Sequence, residues 1–482
     1  MSGTALDPRT APTFPMAAKT ALGDKQLRKN VRHATDVIQA KRARVVGEMP
    51  DWQELREAGK QIRQHTMENL DFYLEEFEAN CTRAGGVVHW ARDAEEARRI
   101  IVGLVKASGS DEVIKIKSMT TEEIQLNSAL EAAGIHPYET DLAELIIQLG
   151  EDRPSHIVVP ALHKNRHEIR EIFRRTMNLP ELGERPEDLA DAARVFLREK
   201  FLRVKTGVSG ANFLIAETGG VCIVESEGNG RMCLTLPETL ITVAGIDKVI
   251  PRFQDLEVLL QLLPRSATGE RMNPYNSIWT GVNAGDVASL GDGPRVFHVV
   301  LMDNARTEIL ADAEARQTLN CIRCAACLNA CPVYRQTGGH AYGSVYAGPI
   351  GAILTPQLQE MHHAQSLPYA SSLCGACYEV CPVKINIPEV LIHLRNKVVK
   401  QNGALNVEAL AMKVMGMIFL SERRFRAAQR MGRMAEAPLV RKDGWIGWLP
   451  GMLGGWTQVR DLQAMPKETF RDWWERRGNS GG

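Results

Sequence analysis

From Asp24 to about Thr82, apolar residues recur at gaps of three and four with charged residues between them, as in "KQLRKNVRHATDVIQAKRARVV" and "DWQELREAGKQIRQHTMENLDFYLEEFEANC". That period predicts amphipathic helices over residues 25–84. Residues 1–24, rich in Pro, Ala and Thr, show no period and read as a loose tail. Between residues 85 and 304 the pattern changes. Short β-like runs ("GGVVHW", "EVIKIK", "HIVVP", "NFLIAE", "VCIVES", "RVFHVVLMD") alternate with helical stretches such as "DAEEARRIIVGLVKAS" and "NRHEIREIFRRTM". Alternation of this kind predicts an α/β domain, a parallel sheet with helices packed on it. Around 211–236 two apolar runs flank Gly219-Gly220 and Gly228-Asn229-Gly230 follows, composition suited to tight antiparallel turns. Residues 305–395 hold clustered cysteines. Residues 396–482 read as helical and then as irregular and tryptophan-rich, with five of the eight tryptophans. This last stretch is expected to pack within its own chain. A docked partner is the next reading, and peripheral contact with a membrane surface a third, disfavoured because Gly and Pro interrupt it.

Length and composition narrow the class. A chain of 482 residues exceeds one ordinary core, so two or three domains are expected. Its 44% hydrophobic and 24% charged residues are those of a globular protein. Formal charge is zero, and the basic residues Lys25, Arg28, Lys29, Arg32, Lys41, Arg42 and Arg44 lack interleaved aromatics. They read as a solvated helical face, not a nucleic-acid arm. The N-terminal residues lack a basic start followed by an apolar run, and no segment approaches the roughly 20 apolar residues of a membrane-spanning helix. A cytoplasmic location with reduced thiols is therefore expected.

Under those conditions the ten cysteines are informative. Cys81, Cys222 and Cys233 are scattered and read as buried thiols, whereas seven lie between Cys321 and Cys381. "CIRCAACLNACP" spaces Cys321, Cys324, Cys327 and Cys331 as C-x2-C-x2-C-x3-C before Pro332, the bacterial ferredoxin pattern. A structural zinc site takes four ligands, and seven clustered cysteines exceed that. In two-cluster proteins of this pattern the fourth cysteine ligates the other cluster. That rule assigns Cys321, Cys324, Cys327 and Cys381 to cluster 1, a [4Fe–4S] centre. Cys331, Cys374 and Cys377 fall to cluster 2, with Ser371 where a further cysteine would stand. Cluster 2 is then [3Fe–4S], or [4Fe–4S] with Ser371, an outside group or one of His340, His362 and His363 on its last iron, or else an unstable site, the outcome least expected because Cys331 and Cys374 would then have no partner. Forty-two residues, partly helix-like, separate Cys331 from Cys374. Such spacing resembles the α-helical ferredoxin module of respiratory dehydrogenase and heterodisulfide-reductase subunits.

In the middle region no G-x-G-x-x-G follows a strand, and Gly228-Asn229-Gly230 lacks the third glycine and a following helix, so a nicotinamide or flavin Rossmann site is unsupported. "GVSGA" has Ala211 where a nucleophile elbow needs glycine, which argues against Ser209 as a nucleophile. In "EVIKIKSMTTEEI" a strand runs into Lys117, with Thr120 and Glu123 as a capping-box pattern, a place for an anion beside a helix start. Asn212, Glu217, Glu225, Glu227, Asn229 and Arg231 sit at turns beside apolar strands. The expected pocket comprises Lys117, Asn212, Glu217, Asn229 and Arg231; the alternative is that these side chains satisfy turn backbone.

With "SGANFLIAETGG", "ESEGNGR", "CIRCAACLNACPVYRQTGGHAYGSVYAGPIGAILTP" and "SSLCGACYEVCPVKI" on one chain, the sequence resembles the lactate-utilisation protein B family over nearly all its length. The resemblance implies an α/β lactate-utilisation domain at 85–304, similar to isomerase and CoA-transferase folds. An α-helical dicluster ferredoxin-type domain at 305–395 and a helical C-terminal extension at 396–482 would follow. It also implies three cysteines in the second motif, so Ser371 is no departure. The function implied is an iron–sulfur electron-transfer subunit, non-catalytic or co-catalytic, in oxidation of L-lactate to pyruvate. Two partner subunits would accompany it, one cysteine-rich and one with a lactate-utilisation domain. The alternative makes the α/β domain itself catalytic, or a binder of an acyl or phosphate ligand, with accessory clusters.

Overall fold

The middle region's branched, apolar runs become ten strands in the computed structural model, which describes residues 11–283, 293–403, 407–458 and 460–479. They are β1 (Val87–Ala91), β2 (Glu112–Lys115), β3 (His136–Glu139), β4 (Thr206–Ser209), β5 (Phe213–Ile215), β6 (Gly220–Glu225), β7 (Thr239–Gly245), β8 (Val249–Ile250), β9 (Tyr275–Trp279) and β10 (Val296–Met302). Six of them form one sheet in the order β1-β10-β7-β4-β2-β3, parallel throughout. The other four form a smaller sheet in the order β8-β5-β6-β9, whose β5–β6 hairpin turns at Gly219. The chain leaves β2 toward β3 and leaves β4 toward β7, in opposite directions across the sheet. Adjacent strands whose connections diverge open a crevice at their carboxyl ends, where open α/β sheets bind ligands.

Several expectations change. "HIVVP" is irregular, because the His156 ring accepts the Val158 and Val159 N–H groups and holds the backbone in a tight bend. β3 carries Pro137 and sits at the sheet edge, the position where a strand tolerates proline. The helix after β2 is capped by Ser118, not Thr120; Glu123 instead pairs with Arg306. A seven-residue helix, Asn229–Thr235, does follow Gly228, which opens it in a left-handed conformation at φ 85°. The tail expected at 1–24 holds a helix in its described part, α1 (Phe14–Gly23), with Phe14 N–H donating to Ser366 Oγ.

The remaining N-terminal helices are α2 (Lys25–Gly47), α3 (Trp52–Glu68) and α4 (Leu70–Arg83). Asp24 caps α2 by accepting the Leu27 N–H. Gly59 lets α3 lie flat: a Cβ there would stand 2.4 Å from Leu262 Cδ1, and Val383 lies just beyond. Residues of α2 and α3, the small sheet and the helix Asp255–Ala267 share one apolar core with Cys324, Cys327, Cys331, Cys377 and Cys381. The cysteine segment therefore has no separate core. The chain divides into compact units at 1–398 and 399–482. The second contains helices Val407–Phe419, Glu422–Glu436 and Phe470–Asn479 and a two-stranded antiparallel pair, Trp445–Ile446 with Leu462–Gln463. Its five tryptophans are 36–64% exposed, so they do not pack inward as expected.

Buried ion pairs tie the large sheet to the cysteine region. Arg306, 1% exposed, holds Glu123 at 2.9 Å and Asp247 at 2.6 Å, and Asp247 also meets Arg323 at 3.3 Å. Burial opposes ionisation of Asp247 and Glu123, but the guanidiniums prevail and hold both below the usual carboxylate range. Removing one partner of such a buried pair strands the other's charge, so Arg306→Ala is expected to cost about 3–5 kcal/mol in chemical denaturation. Because both carboxyls are depressed in the fold, this stabilisation is present above their ordinary values of about 4 and is lost as pH falls. The wild-type advantage over Arg306→Ala should shrink on acidification.

Candidate functional site

Two short loops present the clustered cysteines, and their backbones match. In the first, Arg323 and Ala325 adopt positive φ of 60° and 61° around Cys324; in the second, Leu373 and Gly375 do so at 54° and 83° around Cys374. Each loop feeds a five-residue helix, Ala326–Ala330 or Ala376–Val380, that ends at Cys331 or Cys381 in extended conformation. By this register Ser371 occupies the place of Cys321. The second loop therefore keeps the cluster-binding backbone without the first thiol. Three of the four positive-φ residues are not glycine, a conformation costing about 1–2 kcal/mol each that persists where function over-determines it. Alternating left- and right-handed residues turn successive N–H groups inward, the concave nest found at many iron–sulfur sites. The Cys321, Cys331 and Cys381 sulfurs accept N–H groups of Arg323, Tyr334 and Ile385 at 3.4–3.5 Å.

The thiols bear on one another mainly in two groups, which meet where Cys377 bears on Cys327. Burial, then Cys381 and Cys321, push Cys324 up; burial, then Cys321 and Cys324, push up Cys327. Cys377 is pushed up to about 12 by burial, then Cys331, with Cys374 contributing. Cys374 alone is exposed, and N–H of Ala376 and the Ser372 hydroxyl lower it. Ser371 Oγ accepts the Leu373 N–H. His340 Nε2 donates to the Arg153 carbonyl, and His362 and His363 cluster with Glu360. The scattered Cys81, Cys222 and Cys233 are buried and raised to about 11, 12 and 12, mainly by burial, as expected of packed thiols.

The donor set fits iron–sulfur clusters. A zinc ion at about 2.3 Å from each sulfur would bring its thiolates within about 4 Å of one another. No three cysteine sulfurs among the described residues lie mutually within 4.8 Å. Around them, buried donors lack any protein acceptor: Arg42 Nε, Arg63 Nε, Arg323 Nη1 and Asn329 Nδ2. Orphaned donors beside crowded thiols call for an anionic group with many acceptors, such as a cluster's sulfides and thiolates. Arg42, Arg56 and Arg63 were not legible as site residues. Arg42 falls among basic residues read as a solvated face, yet it donates to the Val380 carbonyl.

A cavity of about 90 Å³ opens at the carboxyl ends of β2 and β3, lined by Glu139, Glu144, Asn127 and Arg153 and, from the cysteine segment, His340 and Ser344. Beneath it Lys115, fully buried, meets Glu139 at 2.8 Å and Glu122 at 3.1 Å. Burial alone would lower Lys115, but Glu139 and Glu122 more than offset it. Glu144 is pushed well above the usual carboxylate range by burial, then by Glu122. None of the five expected pocket residues lines this cavity. Lys117 Nζ donates to the Val158 carbonyl and lies near Glu144 and Glu227, and Asn229 donates to Thr140. Asn212 and Glu217 accept backbone N–H groups of Val224 and Phe253, and Arg231 is exposed. Asn212 and Glu217 thus satisfy turn backbone.

Fold and cysteine geometry together define an iron–sulfur protein built on an α/β domain. Family models agree: residues 74–302 match the LUD domain, 317–385 the 4Fe-4S dicluster domain and 393–479 "Lactate utilisation protein B, C-terminal". The chain is 44% identical over 471 residues to "Lactate utilization protein B" of Bacillus licheniformis, covering 97% of this chain and 98% of that protein. It is 43% identical over 470 residues to the protein of that name from Bacillus subtilis, covering 97% of each. The chain belongs to the lactate utilization protein B family. A DUF162 family crystal structure from Deinococcus radiodurans matches at 12% identity and a TM-score of 0.26, covering 48% of this chain and 98% of that one.

Glu144 supplies a test of the cavity's electrostatics. Its folded pKa is raised, so its contribution to stability is full below the unfolded value of about 4.3 and declines as pH rises toward the folded one. Glu144→Gln removes that decline. The variant should match or exceed wild type in urea denaturation at about pH 7–8, with its relative advantage growing from about pH 4.3 upward. A wild-type advantage that instead grows with pH would mean that Glu144 is ionised in the fold.

Proposed function

We propose that this chain is the iron–sulfur electron-transfer subunit of a complex that oxidises L-lactate to pyruvate. Cys321, Cys324, Cys327 and Cys381 would hold a [4Fe–4S] cluster; Cys331, Cys374 and Cys377 would hold a second, [4Fe–4S] or [3Fe–4S]. The observation that carries this reading is the pair of conformationally equivalent cysteine loops, each sending its last cysteine toward the other loop's group. Relatives named for lactate utilization support the substrate assignment. When bound, the clusters supply one-electron transfer between neighbouring centres. The chain's own residues bury six of the seven thiols to various depths, direct N–H groups at their sulfurs and leave Cys374 at the surface. That exposed edge is the side from which an electron partner has its shortest approach. Two partner subunits complete the proposed complex, one cysteine-rich and one with a lactate-utilisation domain.

A second reading rests on the cavity. Its orphaned oxygens, Glu139 Oε2, Glu144 Oε1 and Asn127 Oδ1, favour a ligand bearing hydroxyl or ammonium donors, and Arg153 at the same cavity offers a cation to a carboxylate. In that case the α/β domain binds a small substrate and the clusters serve it.

Anaerobically reconstituted protein should contain about eight iron and eight sulfide per chain for two [4Fe–4S] clusters, or about seven iron with one [3Fe–4S]. Cys381→Ala should disrupt one of the two EPR signals and preserve the other. Protein that binds no iron and sulfide, or clusters that stay oxidised while the full complex turns over lactate, would rule out the relay. Arg153→Ala separates the readings: loss of lactate-dependent reduction at unchanged iron content supports the cavity, and unchanged reduction removes it.

A further inference from the structure

Helices α2 and α3 precede all three matched family ranges, the first of which begins at residue 74. Their placement is specific. Arg56 of α3 is buried and donates Nε to the Cys381 carbonyl at 2.9 Å and Nη2 to the Tyr378 carbonyl at 3.1 Å. Arg42 of α2 donates to the Val380 carbonyl at 3.1 Å, one residue before Cys381, and its charge bears on Cys324 and Cys381. Arg63, also of α3, donates to the carbonyls of Val249, Asp247 and Leu319, and its charge bears on Cys321. Arg323 stacks over the Tyr346 ring at 5.1 Å, and Lys248 is buried close to Cys321. Five cations thus bear on Cys321, Cys324 and Cys381, and among the groups that bear on them Asp247 is the carboxylate that offsets part of this charge. The other group differs. What bears most on Cys331, Cys374 and Cys377 is burial, backbone N–H groups, Ser372, Tyr342 and the thiols themselves.

Adding an electron to a thiolate-bound cluster makes it more negative, so nearby fixed cations favour the reduced form. The effect is strongest where burial removes solvent screening. A guanidinium stays charged under these conditions, whereas a buried lysine sheds its proton more readily. Three arginines delivered by helices roughly 260–340 residues upstream of Cys321 and Cys381 in sequence are therefore more than packing.

We propose that α2 and α3 form an electrostatic wall whose Arg42, Arg56 and Arg63 raise the reduction potential of the Cys321–Cys324–Cys327–Cys381 site selectively, acting as positioning residues for its charge. The inference rests on the iron–sulfur reading above, and the test separates the two. Full-length protein, reconstituted anaerobically, is titrated electrochemically with EPR detection, and the signal lost in Cys381→Ala identifies the site. In Arg56→Gln and Arg42→Gln the oxidised form of that site should be favoured about tenfold or more, which is about 59 mV for one electron. The second signal should stay in place, and Arg42→Lys, at the half-buried position, should restore most of the shift. Should Arg56→Gln fail to fold, Arg42→Gln, whose side chain is only half buried, decides the matter. Two loaded clusters whose potentials do not respond to Arg42→Gln, or respond equally, would overturn the wall. Absence of iron and sulfide from the wild type would instead overturn the iron–sulfur reading.

Discussion

Crowding seven thiols into and around an apolar core is the constraint on which the rest of this structure turns. Thiolates that close repel one another, and burial deprives them of water, so Cys324, Cys327 and Cys377 are pushed toward the protonated form unless positive charge is supplied. The fold supplies it by bringing guanidiniums and N–H groups to the same place, several of which find no acceptor in the protein itself. Donors without acceptors and crowded thiols are complementary halves of one site. Iron ions and inorganic sulfide would join them.

That constraint explains why elements distant in sequence share one core. The cysteine loops are too short and too rich in left-handed residues to make their own interior. They lean on α2, α3, the small sheet and the helix Asp255–Ala267. The large sheet is joined to them by charge: Asp247 follows β7, Arg306 follows β10, Glu123 lies beyond β2, and Arg323 belongs to the first cysteine loop.

The second cysteine loop shows why conformation can be more informative than composition. By residue type it lacks a thiol, since Ser371 stands where the first loop has Cys321. By backbone it repeats the first loop through Leu373, Gly375 and the helix Ala376–Val380. Leu373 holds an unfavourable left-handed conformation that a degenerate turn would have no reason to keep. The two loops thus share one backbone frame and differ at Ser371 in residue type.

Short-range pattern determined much of this protein by itself. Cysteine spacing carried the cluster chemistry because ligand geometry is set within a few residues. The N-terminal helices and the helices over 94–107 and 166–176 were legible because amphipathic period is also local. Where the physics is non-local, pattern was not enough. His156 diverted an apolar run from a strand through its own ring, Ser118 displaced Thr120 as the helix cap, and Asn212 and Glu217 were absorbed by turn backbone. Arg42, Arg56 and Arg63 looked like any charged residues of an amphipathic helix. Only the packing of α2 and α3 against the cysteine loops removed them from water, and a cation's influence on its neighbours depends on that removal.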